Sequence, residues 1–160
     1  MVRVPVLLCQ DVRVSPAEWS TAAAVLRLAT ELVDAIQDGV AARGFPDVRP
    51  AHGFAFVRIA AGDATTADVA THLGVTKQSA SELVAALVER GYVTRGPDPR
   101  DARARLLTLT SRGRACTEAA EAVAADAVAG WRERLGDDRF ALLRDALADL
   151  ALPGALRPSW

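Results

Sequence analysis

The chain has little of what disulfide scaffolds, membrane proteins and metal sites depend on. Two cysteines, Cys9 and Cys116, in 160 residues exclude a disulfide framework. Aromatic residues make up 5%, so the expected core is aliphatic, close-packed and helical. No apolar run approaches the roughly 18 residues that a bilayer span needs. The first fourteen residues hold Val2, Val4, Val6, Leu7 and Leu8 but no apolar stretch long enough for a secretory signal. The expectation is therefore a cytoplasmic chain with reduced thiols and no membrane partner. Two histidines, His52 and His72, leave no ligand set for a metal sensor, and neither a metal nor a cofactor is expected. There is no Gly-rich phosphate loop, no His-Glu pair at metal spacing and no Gly-x-Ser-x-Gly elbow. The carboxylate pair Asp137-Asp138 reads as a helix cap. No catalytic residue is assigned and no enzyme is expected.

What is present is apolar mass and an uneven charge. Hydrophobic residues make up 51% of the chain and 33 residues are Ala, while charged residues account for 24%, which excludes a disordered chain. The length suits one domain with appended helices. The net charge is −1, yet residues 76–114 carry +4 between flanks of −2 and −3. The basic side is nearly all arginine, 18 residues against Lys77 alone. A basic middle between acidic ends is a local field, and local potential matters more to a polyanion than the total charge does.

Periodicity divides the chain. Ser15-Pro16-Ala17-Glu18 forms a capping box that starts a helix. Its apolar seam, Trp19, Ala22, Leu26, Ala29, Val33, Ile36 and Val40, runs toward Gly44. A short apolar helix follows over residues 50–61, broken by Gly62-Asp63. Thr65 caps a helix of about eight residues that ends at Gly74. After the turn Gly74-Val75-Thr76, a further helix runs to Arg90 and stops at Gly91. The period then changes to two, over residues 92–95 and 105–109, around a polar loop that bears arginine. Thr110 begins the last helical region, with stripes Ala119, Val123, Ala127, Trp131, Leu135 and then Phe140, Leu143, Leu147, Leu150, interrupted at Gly136-Asp137. The predicted fold class is mainly α with a small β-hairpin wing: a winged helix-turn-helix with N- and C-terminal dimerisation helices. The expected organisation is an N-terminal segment 1–14 of unassigned role, dimerisation helices 15–44 and 111–152, a winged-helix DNA-binding lobe 48–110 and a tail 153–160.

The helix, three-residue turn and helix at residues 66–83 fit a helix-turn-helix, with Ala70 small where the helices meet and Gly74 at the turn. Ala80, Leu83, Val84 and Leu87 point to the core. The exposed end presents Thr76, Lys77, Gln78, Ser79, Ser81 and Glu82. A major groove admits such a helix end. Gln pairs with adenine, Lys reaches phosphate or guanine, and Ser serves base or phosphate. Glu82 either accepts from a cytosine amino group or pairs with an arginine at the helix edge. Arg112 and Arg114 stand in a first helical turn, where the macrodipole disfavours cations, either to serve phosphates or by coincidence.

The run Asp98-Pro99-Arg100-Asp101-Ala102-Arg103-Ala104-Arg105-Leu106-Leu107-Thr108-Leu109-Thr110-Ser111-Arg112-Gly113, with Leu87-Val88-Glu89-Arg90-Gly91-Tyr92-Val93 before it, resembles the wing of the MarR family of bacterial winged-helix regulators. The resemblance extends over about residues 16–150. It implies that Arg103 enters the minor groove and that Asp101 orients it, with Arg100 and Arg105 as phosphate contacts or scaffold pairs. It implies double-stranded DNA as a partner, a homodimer on a pseudo-palindromic operator, and most often repression. It further implies release by a small effector, commonly aromatic or phenolic, for which Trp19, His52, Phe56 and Arg58 are the candidate contacts. Glu82 departs from the family, where that position is often basic or neutral. Two alternatives remain: a winged helix that binds a protein as an anti-regulator, and a thiol-based redox regulator acting through Cys9 or Cys116.

Overall fold

In the computed structural model, residues 15–99 and 104–151 are described; they form six helices and one two-stranded antiparallel sheet. Helix α1 spans Pro16–Ala42. Two compact units are distinguished, divided inside α1 between Glu31 and Leu32. In the first, the predicted capping box is present: Ser15 Oγ accepts from the Glu18 amide at 3.2 Å and Glu18 Oε2 accepts from the Ser15 amide at 2.9 Å.

In the second unit, the end of α1 turns through Gly44 at φ +96° into α2, Pro50–Ala60. Then come α3 (Thr66–Leu73), α4 (Lys77–Glu89), β1 (Val93–Pro97), β2 (Arg105–Leu109), α5 (Ser111–Leu135) and α6 (Asp137–Leu150). The strands pair from Val93 with Leu109 to Pro97 with Arg105. Strand β1 begins one residue later than expected and reaches Pro97, because a proline at the outer end of a two-stranded hairpin forfeits no needed donor. The carboxylates Asp137 and Asp138 lie in the first turn of α6 and not at its cap; Gly136, at φ +77°, holds the cap position. Their charges still suit the positive end of the helix.

The expected aliphatic core is present, with aromatic rings at its centre. Tyr92 and Phe56 are the largest fully buried side chains, with rings 5.7 Å apart, and Phe45 stands 6.3 Å from Tyr92. Around them close Ile59, Val69, Leu73, Val84, Leu87, Val93, Leu107, Leu109 and Cys116. Few aromatics are present, but a bulky ring fills the space where α2, the sheet and α5 converge better than several alanines would.

One polar cluster secures this junction. Tyr92 donates its hydroxyl hydrogen to Asp47 Oδ1 at 2.7 Å and accepts from Arg112 at 2.9 Å. The Arg112 guanidinium lies 4.6 Å from the Tyr92 ring centre and 5.5 Å from that of Phe45. Arg90 donates to the Asp47 carbonyl at 3.1 Å. The Tyr92 hydroxyl, assisted by Arg112 and Arg90, holds the Asp47 carboxyl below its ordinary value, while burial and then Asp47 push the tyrosine up. Arg112 is therefore engaged within the chain, and Arg114 likewise donates to the Leu109 carbonyl at 2.6 Å. Gly113 lets α5 touch this junction: a Cβ there would stand 2.2 Å from the Tyr92 carbonyl oxygen.

Candidate nucleic-acid interface

Helix α3 is fastened at its start by a reciprocal box. The Thr65 amide and hydroxyl donate to Asp68 Oδ2 at 2.8 and 2.6 Å, and the Asp68 amide donates back to Thr65 Oγ1 at 3.3 Å. These donors lower the Asp68 carboxyl, and Arg58 adds to this from 3.7 Å. Gly74 ends α3 at φ +67°, a left-handed geometry open to glycine at no steric cost. The Val75 amide closes the turn on the Ala70 carbonyl at 3.1 Å. Thr76 then caps α4 by accepting from the Ser79 amide at 3.1 Å, and its hydroxyl also meets that of Ser79 at 2.9 Å.

The two faces of α4 follow. Ala80, Val84 and Leu87 are fully buried, and Leu83 packs against the core from a half-buried position. Thr76, Lys77, Gln78, Ser79, Ser81 and Glu82 are all exposed. The structure thus brings all six candidates of this helix to one accessible end. Glu82 accepts from Gln78 Nε2 at 3.1 Å, one helical turn away. The carboxylate and the amide form one unit on the exposed face.

The wing stands on the same core. Leu107 and Leu109 bury one side of β2, and Arg105 is exposed opposite Pro97. Arg100, Asp101 and Arg103 lie outside the described residues, as does Cys9. Arg95, exposed on β1, was not among the anticipated contacts; its place in the basic segment was the available signal. A further tie had no sequence signal: the Leu107 amide donates to the Ala64 carbonyl at 2.7 Å, fixing the α2–α3 connection to the wing. One residue of bridge is too short to leave a period.

Of the four effector candidates, the three in the second unit do not line one cavity. Phe56 lines an apolar cavity between the end of α1, α2 and α5, whose walls do not include His52 or Arg58. His52 is buried and folds back on its own helix, its Nδ1 accepting from the Arg49 amide at 3.0 Å; burial first, then Arg90, lowers its basicity. Arg58 pairs with Asp68 and donates to the Gly62 carbonyl at 2.9 Å. Trp19 is 65% exposed and belongs to the other unit. Cys116 also reaches the cavity, and burial pushes its thiol up to about 11. At neutral pH such a thiol is almost wholly protonated and a poor nucleophile, which weighs against a redox role for it.

Comparisons with known proteins agree with this geometry. The sequence model of the MarR family matches residues 48–104. No curated relative matches the chain. Among solved structures, the reduced form of MarR from E. coli is 22% identical, with a TM-score of 0.69 over 82% of this chain and 96% of that one. A MarR variant from E. coli in complex with operator DNA is 21% identical, with a TM-score of 0.63 over 84% of this chain and 94% of that one. CouR from Rhodococcus jostii bound to p-coumaroyl-CoA is 25% identical, with a TM-score of 0.62 over 85% and 94%. Residues 48–104 therefore match the MarR family's sequence model, and the described chain carries the winged helix-turn-helix fold seen in that family's solved structures.

Proposed function

We propose that the chain is a sequence-specific DNA-binding transcriptional regulator, a repressor working in the cytoplasm, that holds a pseudo-palindromic operator as a homodimer and is released by a small-molecule effector. The observation that carries the reading is the exposed polar end of α4, fixed by the Thr76 cap and backed by buried Ala80, Val84 and Leu87. A rigid helix end of that size enters a major groove, with Lys77, Gln78, Ser79 and Ser81 toward bases and phosphates. The similar MarR variant held on operator DNA supports it, and the similar CouR with its acyl-CoA supports a ligand-responsive member of the class. The chemistry asked of the protein is binding, with no catalytic step.

In this reading the wing, through Arg105 and the signature residues Arg100, Asp101 and Arg103, follows the backbone into the minor groove. Two copies place their α4 helices about one duplex turn apart, roughly 10 bp. Exposed apolar residues on α1 and α6 supply the dimer surface. An effector that prefers a different spacing of the two heads lowers DNA affinity by linkage.

The test is selection of bound genomic fragments at two salt concentrations, followed by titration of the enriched site. An inverted repeat whose log affinity falls steeply with log salt supports the reading. Arg103→Ala is expected to weaken that binding by about 1–3 kcal/mol. A shallow slope, or selection of no DNA by the folded protein, points instead to a protein-binding winged helix, to which the Glu82 carboxylate on the exposed face is suited.

A further inference from the structure

The apolar cavity offers about 330 Å³. A dry cavity near 150 Å³ lined by aliphatic and aromatic side chains accommodates benzene, so this one has room for about two rings. Val33 and Ile36 of α1, Phe56 of α2 and Ala120 and Ala124 of α5 make walls of carbon.

Of the polar groups that reach the cavity, Gln37, Thr117 and Cys116 are engaged or uncharged, and the charged ones, Arg49 and Glu121, are exposed. The Gln37 amide nitrogen donates to the Val48 carbonyl, and the Thr117 hydroxyl donates to the Gly113 carbonyl at 3.1 Å. The Cys116 thiol keeps its proton. Arg49 and Glu121 both reach the lining and both are exposed, one of each sign. An anion entering the cavity would leave water without gaining a buried cation, and an unpaired buried charge is costly. An uncharged apolar molecule carries no such penalty, and each buried carbon favours its entry.

Gly53 adds an independent observation. It sits in the middle of α2, where glycine costs helix stability. Its φ is ordinary, and a Cβ built on it meets nothing within 4 Å. Neither the backbone nor a neighbour requires the missing side chain. What its absence does is leave space in the cavity that Gly53 lines.

We propose that this cavity binds an uncharged, apolar molecule of about two rings, and that the same body bearing an anionic group binds it much more weakly. As effector chemistry the proposal rests on the regulator reading; as a binding site it stands on the cavity alone.

The full chain is titrated with 1-aminonaphthalene, which is uncharged at neutral pH, and with 5-aminonaphthalene-1-sulfonate, which has the same two-ring body plus a sulfonate. Fluorescence should show saturable binding of one neutral probe per chain, tighter than the sulfonate by roughly tenfold or more. Gly53→Leu should lower the neutral probe's affinity by a similar factor while the melting temperature holds or rises. Equal or tighter sulfonate binding overturns the proposal, as does a folded Gly53→Leu protein that binds the neutral probe unchanged. Ala120→Leu, from the facing helix, repeats the test should Gly53→Leu not fold. Operator affinity is then measured with and without the neutral probe. Probe binding without a change in DNA affinity keeps the site and removes effector release. Probe binding by a protein that selects no DNA keeps the site and removes the regulator reading.

Discussion

The lobe at residues 48–110 and the long helices α5 and α6 are written in much the same alphabet of alanine, leucine, valine and arginine, yet they treat their apolar residues in opposite ways. In the lobe, Phe56, Val69, Val84, Leu87, Tyr92 and Leu107 are buried around one centre. Helix α6 buries nothing, leaving Leu142 71% and Leu150 78% exposed, and α5 buries only Gly113, Cys116 and Val123 in 25 residues. The difference is one of geometry. Short helices joined by Gly and capped by Thr cross one another and close a core within one chain, whereas a long helix with a narrow seam needs another long surface beside it. Apolar side chains left in water along such a seam mark an association surface. The lobe closes its core within one chain, and the helices leave apolar side chains exposed; four tests bear on that contrast.

The largest effect belongs where the two regions touch. Gly113→Ala places a carbon against the Tyr92 carbonyl, backbone against backbone, and neither side can rotate away. Destabilisation of about 3 kcal/mol or more is expected in urea unfolding. A loss below about 1 kcal/mol would mean that α5 can lift from the wing root, and that the lobe does not depend on it.

Alkaline titration comes next. Cys116 has its pKa raised from an ordinary 9.0 to about 11, chiefly by burial. The folded state therefore keeps a proton that the unfolded chain releases. Its contribution is fully present below pH 9 and is lost as the pH rises toward 11. The expected extent is on the order of 2 kcal/mol. Cys116→Ala should flatten that part of the stability profile, at a packing cost that does not vary with pH. An unchanged profile would place the thiol in contact with water and make the cavity wall more polar than its lining residues imply.

How much of this was legible beforehand differs between the regions in the same sense. The helix-turn-helix could be read because each boundary has a local chemical cause: Thr65 and Thr76 as caps, Gly74 as the left-handed stop. The face of α4 could be read because its period is regular. The Asp47–Tyr92–Arg112 cluster could not, since its members are 45 and 20 residues apart and meet only in the fold. For the same reason the stacking of the Arg112 guanidinium on Tyr92 left no trace in the sequence. The cavity was not legible either: it is shaped by what is small, here Gly53, Ala120 and Ala124, and small residues are inconspicuous in a chain with 33 alanines. The Gln78–Glu82 bond was readable in principle from its spacing.

A smaller loss tests the cluster itself. Tyr92→Phe keeps the ring against Phe56 and removes the hydroxyl between Asp47 and Arg112. About 1–2 kcal/mol is expected, the size of one hydrogen bond to a charged partner. The acid limb carries the sign check. The Asp47 pKa lies below its ordinary value, so its contribution is present above about pH 4 and is lost as the pH falls through the lowered value. The phenylalanine variant should lose less stability than the parent between neutral pH and that limb. Equal acid sensitivity of the two proteins would assign the effect to Arg90 and Arg112 rather than to the tyrosine.

The smallest effect on folding is expected from the most exposed leucines, and it discriminates best between the two regions. Leu142→Glu and Leu150→Glu alter side chains that touch little within the chain, on a helix that tolerates glutamate well. Unfolding of the dilute monomer should change by no more than about 0.5 kcal/mol. The mass measured at working concentration should nevertheless fall from that of a dimer to that of a single chain, because a carboxylate on a buried seam must be desolvated without a partner. Operator affinity should fall with it, since each copy then brings one reading helix instead of two. Were both variants to remain dimeric, the apolar face of α6 would not be the seam, and the exposed leucines and valines of α1 would be substituted in turn. Were the mass to fall while operator affinity held, a single lobe would suffice for recognition, and the incompleteness of the helices would concern something other than DNA.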